Sequence, residues 1–174
     1  MIIKIHTDAG IVGIGEVDSS PRMAKAVVEA PMSNTVATGL GRLLIGMNPL
    51  DIEVINEKLY RESFYCGRRA VVVHTIGGID MALWDIAGKF YRQPIYQLLG
   101  GAFQKRMRTY ASDLFGTDGE KTREKAKRWI DHGFIAVKFG WTPMGQSEKI
   151  DLELVEEARL GVGNENDLFI DAGC

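Results

Sequence analysis

The sequence predicts a fold in two parts, an α+β domain followed by parallel β/α units, and three observations carry that reading. The chain opens with a β-hairpin pattern and continues into one long helix with an apolar face. After Gly101 it changes to short apolar runs alternating with charged helical stretches. Strands alternating with helices of this length argue for parallel βαβ units. The boundary is expected at residue 105, giving domains 1–105 and 106–174.

Between Ile2 and Thr7, Ile3 and Ile5 alternate with Lys4 and His6, the period of a half-buried strand. Asp8-Ala-Gly10 supplies a turn ending in glycine, and Ile11 to Val17 returns as the second strand. Gly10, Gly13 and Gly15 do not make a dinucleotide-binding fingerprint, because they follow a hairpin turn and have the wrong spacing. Pro21 to Leu44 reads as two helices broken at Pro31, with Ala24, Val27, Val28, Val36, Leu40, Leu43 and Leu44 inward. Asp51 is placed as the N-cap of a helix whose apolar stripe is Ile52, Ile55 and Leu59. Arg61 to Arg69 is polar, aromatic and glycine-containing, hence a loop.

The long helix runs from Val71 towards Leu99. Val72, Ile76, Ile79, Leu83, Ile86 and Phe90 recur in steps of four and three, which sets them on one face. Pro94 interrupts it, and a short turn closes at Gly100-Gly101. Gly77-Gly78 costs about 2 kcal/mol against two alanines, and the expected return is close approach of another backbone. Beyond Gly101, strands are expected at Met107–Ala111, Phe134–Phe139 and Asp167–Asp171. Helices are expected at Glu120–Asp131, with Ala126, Trp129 and Ile130 on one side, and at Ser147–Leu160.

Apolar residues make up 45% and charged residues 25%, a soluble globular composition with enough material for a core. A net charge of −2 gives no electrostatic case for nucleic acid or an anionic membrane. No apolar run approaches the ~20 residues of a membrane span. Cys66 and Cys174 match neither a disulfide framework nor a metal spacing, which with the absence of a signal-peptide pattern argues for a reduced, cytoplasmic setting. His6, His74 and His132 show no triad or ligand spacing and read as structural or surface groups.

The wording of two stretches goes further. Gly77-Gly-Ile-Asp-Met-Ala-Leu-Trp-Asp-Ile-Ala-Gly-Lys89, followed by Gln93-Pro-Ile-Tyr-Gln-Leu-Leu-Gly-Gly101, closely resembles the N-terminal capping domain of the enolase superfamily. Within it the mandelate racemase/muconate-lactonizing branch is the match. The resemblance implies an α+β capping domain and then a (β/α)8 TIM-type barrel. The 73 residues after Gly101 are too few for a barrel of ~250 residues, so about three barrel strands are expected. Family members also carry a strand ahead of the opening hairpin, so the chain looks truncated at both ends. The resemblance further implies Mg2+, a small-molecule carboxylate substrate, and a homo-oligomer at full length.

In such barrels the active groups stand at the carboxyl ends of strands. Lys138 ends the second expected strand and Asp171 the third. By itself Asp171 reads as a cap or loop acceptor; the resemblance makes it the first of three acidic Mg2+ ligands, the others lying on later strands. Family members of the racemase and lactonizing type end the second strand Lys-x-Lys, the second lysine being the base. Here the run is Lys138-Phe-Gly140-Trp141, with glycine where that base would stand. This departure counts against a lysine-pair racemase and leaves room for a His-Asp base from later strands, as in acid-sugar dehydratases. Lys138 then neutralises the substrate carboxylate or the developing enediolate, or else is a snorkelling strand-end lysine. Tyr65, Arg68, Arg69 and Trp141 are the candidate substrate contacts, and Asp80, Trp84 and Asp85 are assigned to packing. The implied activity is removal of the proton α to a carboxylate with loss of a β-hydroxyl, an aldonate or aldarate dehydratase. The alternatives are a racemase or epimerase of the same superfamily, and a truncated fragment without catalysis; the 174 residues alone are expected to be inactive.

Overall fold

Glycines decide how the first half of the chain packs. The computed structural model describes residues 1–34 and 37–173, which fall into two compact units, Met1–Phe103 and Gln104–Cys174. In the first, β1 (Ile2–His6) and β2 (Val12–Glu16) pair antiparallel, from Ile2 opposite Glu16 to His6 opposite Val12. Five helices follow: α1 (Pro21–Glu29), α2 (Leu40–Leu44), α3 (Ile52–Glu62), α4 (Val71–Tyr91) and α5 (Ile95–Leu98). A Cβ on Gly15 would lie 1.9 Å from the Gly78 carbonyl oxygen, and one on Gly13 would lie 2.1 Å from that of Ala82. Conversely, a Cβ on Gly78 would meet Val17 Cγ2 at 2.4 Å and Glu16 O at 2.9 Å. Strand and helix therefore touch backbone to backbone.

Side chains of α4 then satisfy the outer edge of β2. Asp85 accepts the Ile14 N–H at 2.8 Å, and Lys89 donates to the Val12 carbonyl at 2.7 Å and to Asp85 at 2.5 Å. Below this contact Val72, Ile76, Ile79, Leu83 and Ile86 are buried with Ile3, Val17, Ala24, Ile55 and Leu59. Asn56 of α3 donates to Asp80 of α4 at 2.5 Å, so Asp80 and Asp85 both tie neighbours to the helix.

Several expectations are corrected here. Phe90 is exposed, because the last tie between α4 and the hairpin is one residue earlier, at Lys89; its ring packs edge-on against Tyr91 at 5.1 Å. Gly77 meets nothing within 4 Å of a built Cβ, so the close approach belongs to Gly78 alone. The helix ends at Tyr91, with Arg92 left-handed (φ 54°) and its N–H bonded back to the last turn. The second helix of the Pro21–Leu44 stretch is a single short turn from Leu40, since Gly39 first folds back to bond the Ala30 carbonyl at 3.0 Å. Val36 lies outside the described residues, as does Cys174. Asp51 occupies the N-cap position of α3 without a side-chain capping bond. The reading that no run approaches a membrane span also needs correction for α4. Its 21 residues are long and apolar enough to cross a membrane, although its apolar stripe packs on the hairpin and α3.

The second unit is a parallel sheet in the order β3-β4-β5, built from β3 (Ala111–Leu114), α6 (Gly119–Asp131), β4 (Ala136–Gly140), α7 (Glu148–Val162) and β5 (Asp167–Asp171). The first strand begins at Ala111 rather than spanning Met107–Ala111, because pairing starts at Ala111 opposite Val137. Asp113 explains why this weakly apolar run holds. Its carboxylate accepts from Trp129 Nε1 at 2.8 Å and from Lys125 at 3.3 Å, both on α6. Burial raises its pKa, and the hydrogen bonds from Trp129 and from the Leu114 N–H outweigh this, so the carboxyl sits below its ordinary range. Asp118 caps α6 through the Lys121 N–H at 2.8 Å, and Ser147 caps α7 through that of Ile150 at 3.3 Å. Val137, Phe139, Ala126, Leu154 and Ala158 form the core between sheet and helices.

Glycine geometry separates two adjacent substitutions. Gly77→Ala should stabilise the protein by about 1 kcal/mol, since it adds helix propensity in open space. Gly78→Ala should lose about 1–3 kcal/mol by overpacking against β2. Urea unfolding of both variants checks this, and equal stability for the two would contradict the backbone contact.

Candidate active site

Side chains alternate across β4 and β5, and this alternation builds the site. Val137 and Phe139 are buried in the core shared with α6 and α7, so Lys138 and Gly140 belong to the opposite face, together with Phe169 and Asp171 of β5. Lys138 Nζ donates to Asp171 Oδ2 at 3.0 Å, and the Gly173 N–H donates to Asp171 Oδ1 at 3.2 Å. The two side chains are 29% and 35% exposed, so the pair is open to solvent. The Lys138 hydrogen bond, then the Gly173 N–H, hold the Asp171 carboxyl below the usual carboxylate range. The same bond to Asp171 raises the Lys138 ammonium above its ordinary value.

Lys138 is the middle residue of β4, opposite Ser112 and Phe169, and does not end the strand. The end row is Leu114, Gly140 and Asp171, which Lys138 reaches diagonally. Trp141 follows Gly140 directly, exposed and with a left-handed φ of 68°, which is uncommon for a bulky residue. Tyr110 escaped the sequence reading as a neighbour of this pair. Its ring lies 5.8 Å from Lys138 Nζ and 5.7 Å from the ring of Phe169. The usable signal was parity, because Tyr110 precedes Ser112 by two residues on the face of Lys138.

The remaining candidates belong to the first unit. Arg68 lies over the Tyr60 ring at 4.8 Å, and its guanidinium contacts the Arg61 carbonyl at 3.5 Å. Tyr65 and Arg69 are exposed. Ala70, which precedes α4, is left-handed at φ 48°. His74 is held by the Asp18 carbonyl and His132 by that of Arg128 at 2.6 Å, which gives both a structural partner.

Residues 1–100 match the family model of the mandelate racemase / muconate lactonizing enzyme N-terminal domain. The chain belongs to this family. Among curated members it is similar to the D-galactonate dehydratase of Pectobacterium atrosepticum, with 36% identity over 98% of this chain and 44% of that protein. The D-galactonate dehydratase of Verminephrobacter eiseniae is 34% identical over the same shares. Among solved structures, the 3,6-anhydro-D-galactonate cycloisomerase from Zobellia galactanivorans superposes with a TM-score of 0.85 at 30% identity, over 98% of this chain and 45% of that one. A predicted mandelate racemase from Rhodobacter sphaeroides gives 0.79 at 31% identity, over 97% and 43%. The chain thus spans less than half the length of the curated relatives it matches.

Enolase-superfamily enzymes generally use Mg2+. The carboxylate of Asp171 is the hard oxygen donor such an ion prefers. No cluster of three or more His, Cys, Asp or Glu able to hold a metal exists among the described residues. Asp167, four residues earlier on the same face, is paired with Arg108 at 2.5 Å. The donor chemistry fits the ion, but the number of donors does not, so these residues alone do not form the family's metal centre.

Two measurements follow from this geometry. The Asp171 carboxyl should titrate below the ordinary carboxylate range, and Lys138→Met should move it back up. Because its folded pKa is depressed, its contribution to stability is present above the unfolded value and is lost as pH falls through the folded one. Carbon NMR of the Asp171 carboxyl checks both, and a midpoint at or above the ordinary value would refute the pairing. Calorimetric titration of the chain with Mg2+ should show weak binding at best; a micromolar site dependent on Asp171 would mean that further ligands exist within these residues.

Proposed function

We propose that the protein containing these residues is an acid-sugar dehydratase acting on an aldonate or aldarate. The carrying observation is that relatives matched over 98% of this chain, at 32–36% identity, are D-galactonate dehydratases. In the reaction a base removes the proton α to the substrate carboxylate. The β-hydroxyl then leaves as water, and the resulting enol becomes a 2-keto-3-deoxy acid. Lys138, charged throughout the neutral range, faces the substrate carboxylate and the charge that develops on it. Asp171 is one ligand of the Mg2+, which when bound supplies positive charge to the same carboxylate. Gly140 carries no side chain, so no base stands at that position, which leaves the proton to a His-Asp pair from later strands. Tyr65, Arg68, Arg69 and Trp141 contact the substrate, and the enzyme is a cytoplasmic homo-oligomer.

A second reading, a racemase, epimerase or cycloisomerase built on the same proton removal, draws on the cycloisomerase neighbour. The test joins these 174 residues to the remaining length of a D-galactonate dehydratase relative. With Mg2+, this chimaera should form a 2-keto-3-deoxy acid from an aldonate, whereas the 174 residues alone should form none. Isomerisation without loss of water would favour the second reading. In the active chimaera Lys138→Met should slow turnover roughly 10²–10³-fold. Exchange of the substrate α-proton in D2O should persist, because the base remains. Complete loss of exchange with Mg2+ affinity intact would make Lys138 the base instead.

A further inference from the structure

The end row of the parallel sheet contains a contact that no side chain at position 140 could share. A Cβ built on Gly140 would lie 2.7 Å from Asp171 Cβ and 2.7 Å from the Asp171 carbonyl oxygen. Real Cβ atoms essentially never approach closer than 3.0 Å. Both obstacles belong to the backbone or its first carbon, so no flexible tip can swing aside. The φ of Gly140 is not left-handed. Glycine is therefore present for space rather than for backbone freedom, although it weakens a strand. The other four residues of β4, Ala136 to Phe139, all carry a Cβ opposite the same neighbour, so the narrow spacing is confined to the end row.

We propose that Gly140 is a positioning residue: its missing side chain lets the end of β5 close onto β4 and brings the Asp171 carboxylate within reach of Lys138. Two consequences follow. A side chain at 140 would push Asp171 outwards and separate the pair. A lysine there cannot serve as base while Asp171 keeps this place, so a chain with this contact takes its proton-abstracting group from another strand. The catalytic meaning rests on Lys138 and Asp171 being the site proposed above, but the geometric claim is independent of that reading.

The test uses the full chain without substrate or added cation. A proton–nitrogen spectrum of lysine ammonium groups records those held in hydrogen bonds. The Lys138 signal, assigned by its absence in Lys138→Met, should be present in the unmodified chain and lost in Gly140→Ala. The signal of Lys125, which donates to Asp113 and to the Leu114 carbonyl, should survive in Gly140→Ala as the control within the same unit. Retention of the Lys138 signal in Gly140→Ala would overturn the proposal. Should Gly140→Ala lose both signals through unfolding, Gly140→Ala combined with Asp171→Gly removes one colliding atom. Return of the Lys125 signal in that double variant supports the contact, and its continued absence overturns it. Failure of the dehydratase assay would leave this result unaffected, because the spectrum reads the free chain.

Discussion

The first unit depends on one backbone contact, that of β2 with α4. Gly13 and Gly15 from the strand and Gly78 from the helix remove the three Cβ atoms that would hold the two elements apart. The conformational cost of these glycines is offset by what the contact allows: Ile79, Leu83 and Ile86 are each at most 2% exposed. The contact also sets register. Gly13 and Gly15 alternate with the exposed Ile14, so a slip of one residue would drive the Ile14 side chain into the helix backbone. Asp85 and Lys89 reinforce the same register by reading the Ile14 N–H and the Val12 carbonyl. They also cover an edge that would otherwise offer itself for pairing.

The second unit combines a close approach of its helices, where a Cβ on Gly161 would lie 2.6 Å from the Arg123 carbonyl oxygen, with side-chain ties. Its helices are capped by Asp118 and Ser147, and α6 and α7 are joined by Arg123, whose guanidinium donates to Glu157 at 2.7 Å. Asp113 fastens α6 to β3 through Trp129 and Lys125. Only one face of the sheet is buried by these helices. The other carries Tyr110, Lys138, Phe169 and Asp171, all at least partly exposed. The Lys138–Asp171 pair is thereby kept on one face, while Phe139 on the reverse side, stacked on Phe115 at 5.5 Å, fixes the strand in place.

What was legible in the sequence was whatever repeats with a period. The hairpin alternation, the α4 stripe from Val72 to Ile86 and the β/α grammar after Gly101 all reappear in the structure. Asp171 falls on the last residue of the strand expected for it. What escaped depends on partners distant in sequence. Ala111–Leu114 is a strand because Asp113 finds Trp129 and Lys125, and nothing in its own four residues announces that. Phe90 continues the helical period but extends beyond its hairpin partner, which no local pattern records. Gly77 and Gly78 are indistinguishable in the sequence, and only the position of β2 tells the costly glycine from the replaceable one. The glycine at 140 was visible as a departure from the family pattern, whereas its reason, the nearness of Asp171, lies on another strand.

The Lys138–Asp171 pair shows why spacing matters more than charge in this site. A partly exposed ion pair gains little from Coulomb attraction, because water screens it and both side chains lose freedom. Its 3.0 Å geometry therefore depends mainly on the placement of β5 beside β4, where Gly140 leaves no room for a Cβ against Asp171. A pair held this way is easily opened by a competing carboxylate, which meets a charged ammonium without displacing a buried partner. If this pair is the carboxylate site proposed above, discrimination among carboxylates must come from what surrounds the ammonium. The rings of Tyr110 and Phe169 lie beside it, tilted by 58° to each other with their centroids 5.7 Å apart. On the function proposed above, the charge attracts any acid, and these neighbours are what would decide which acid can place its α-carbon close to it.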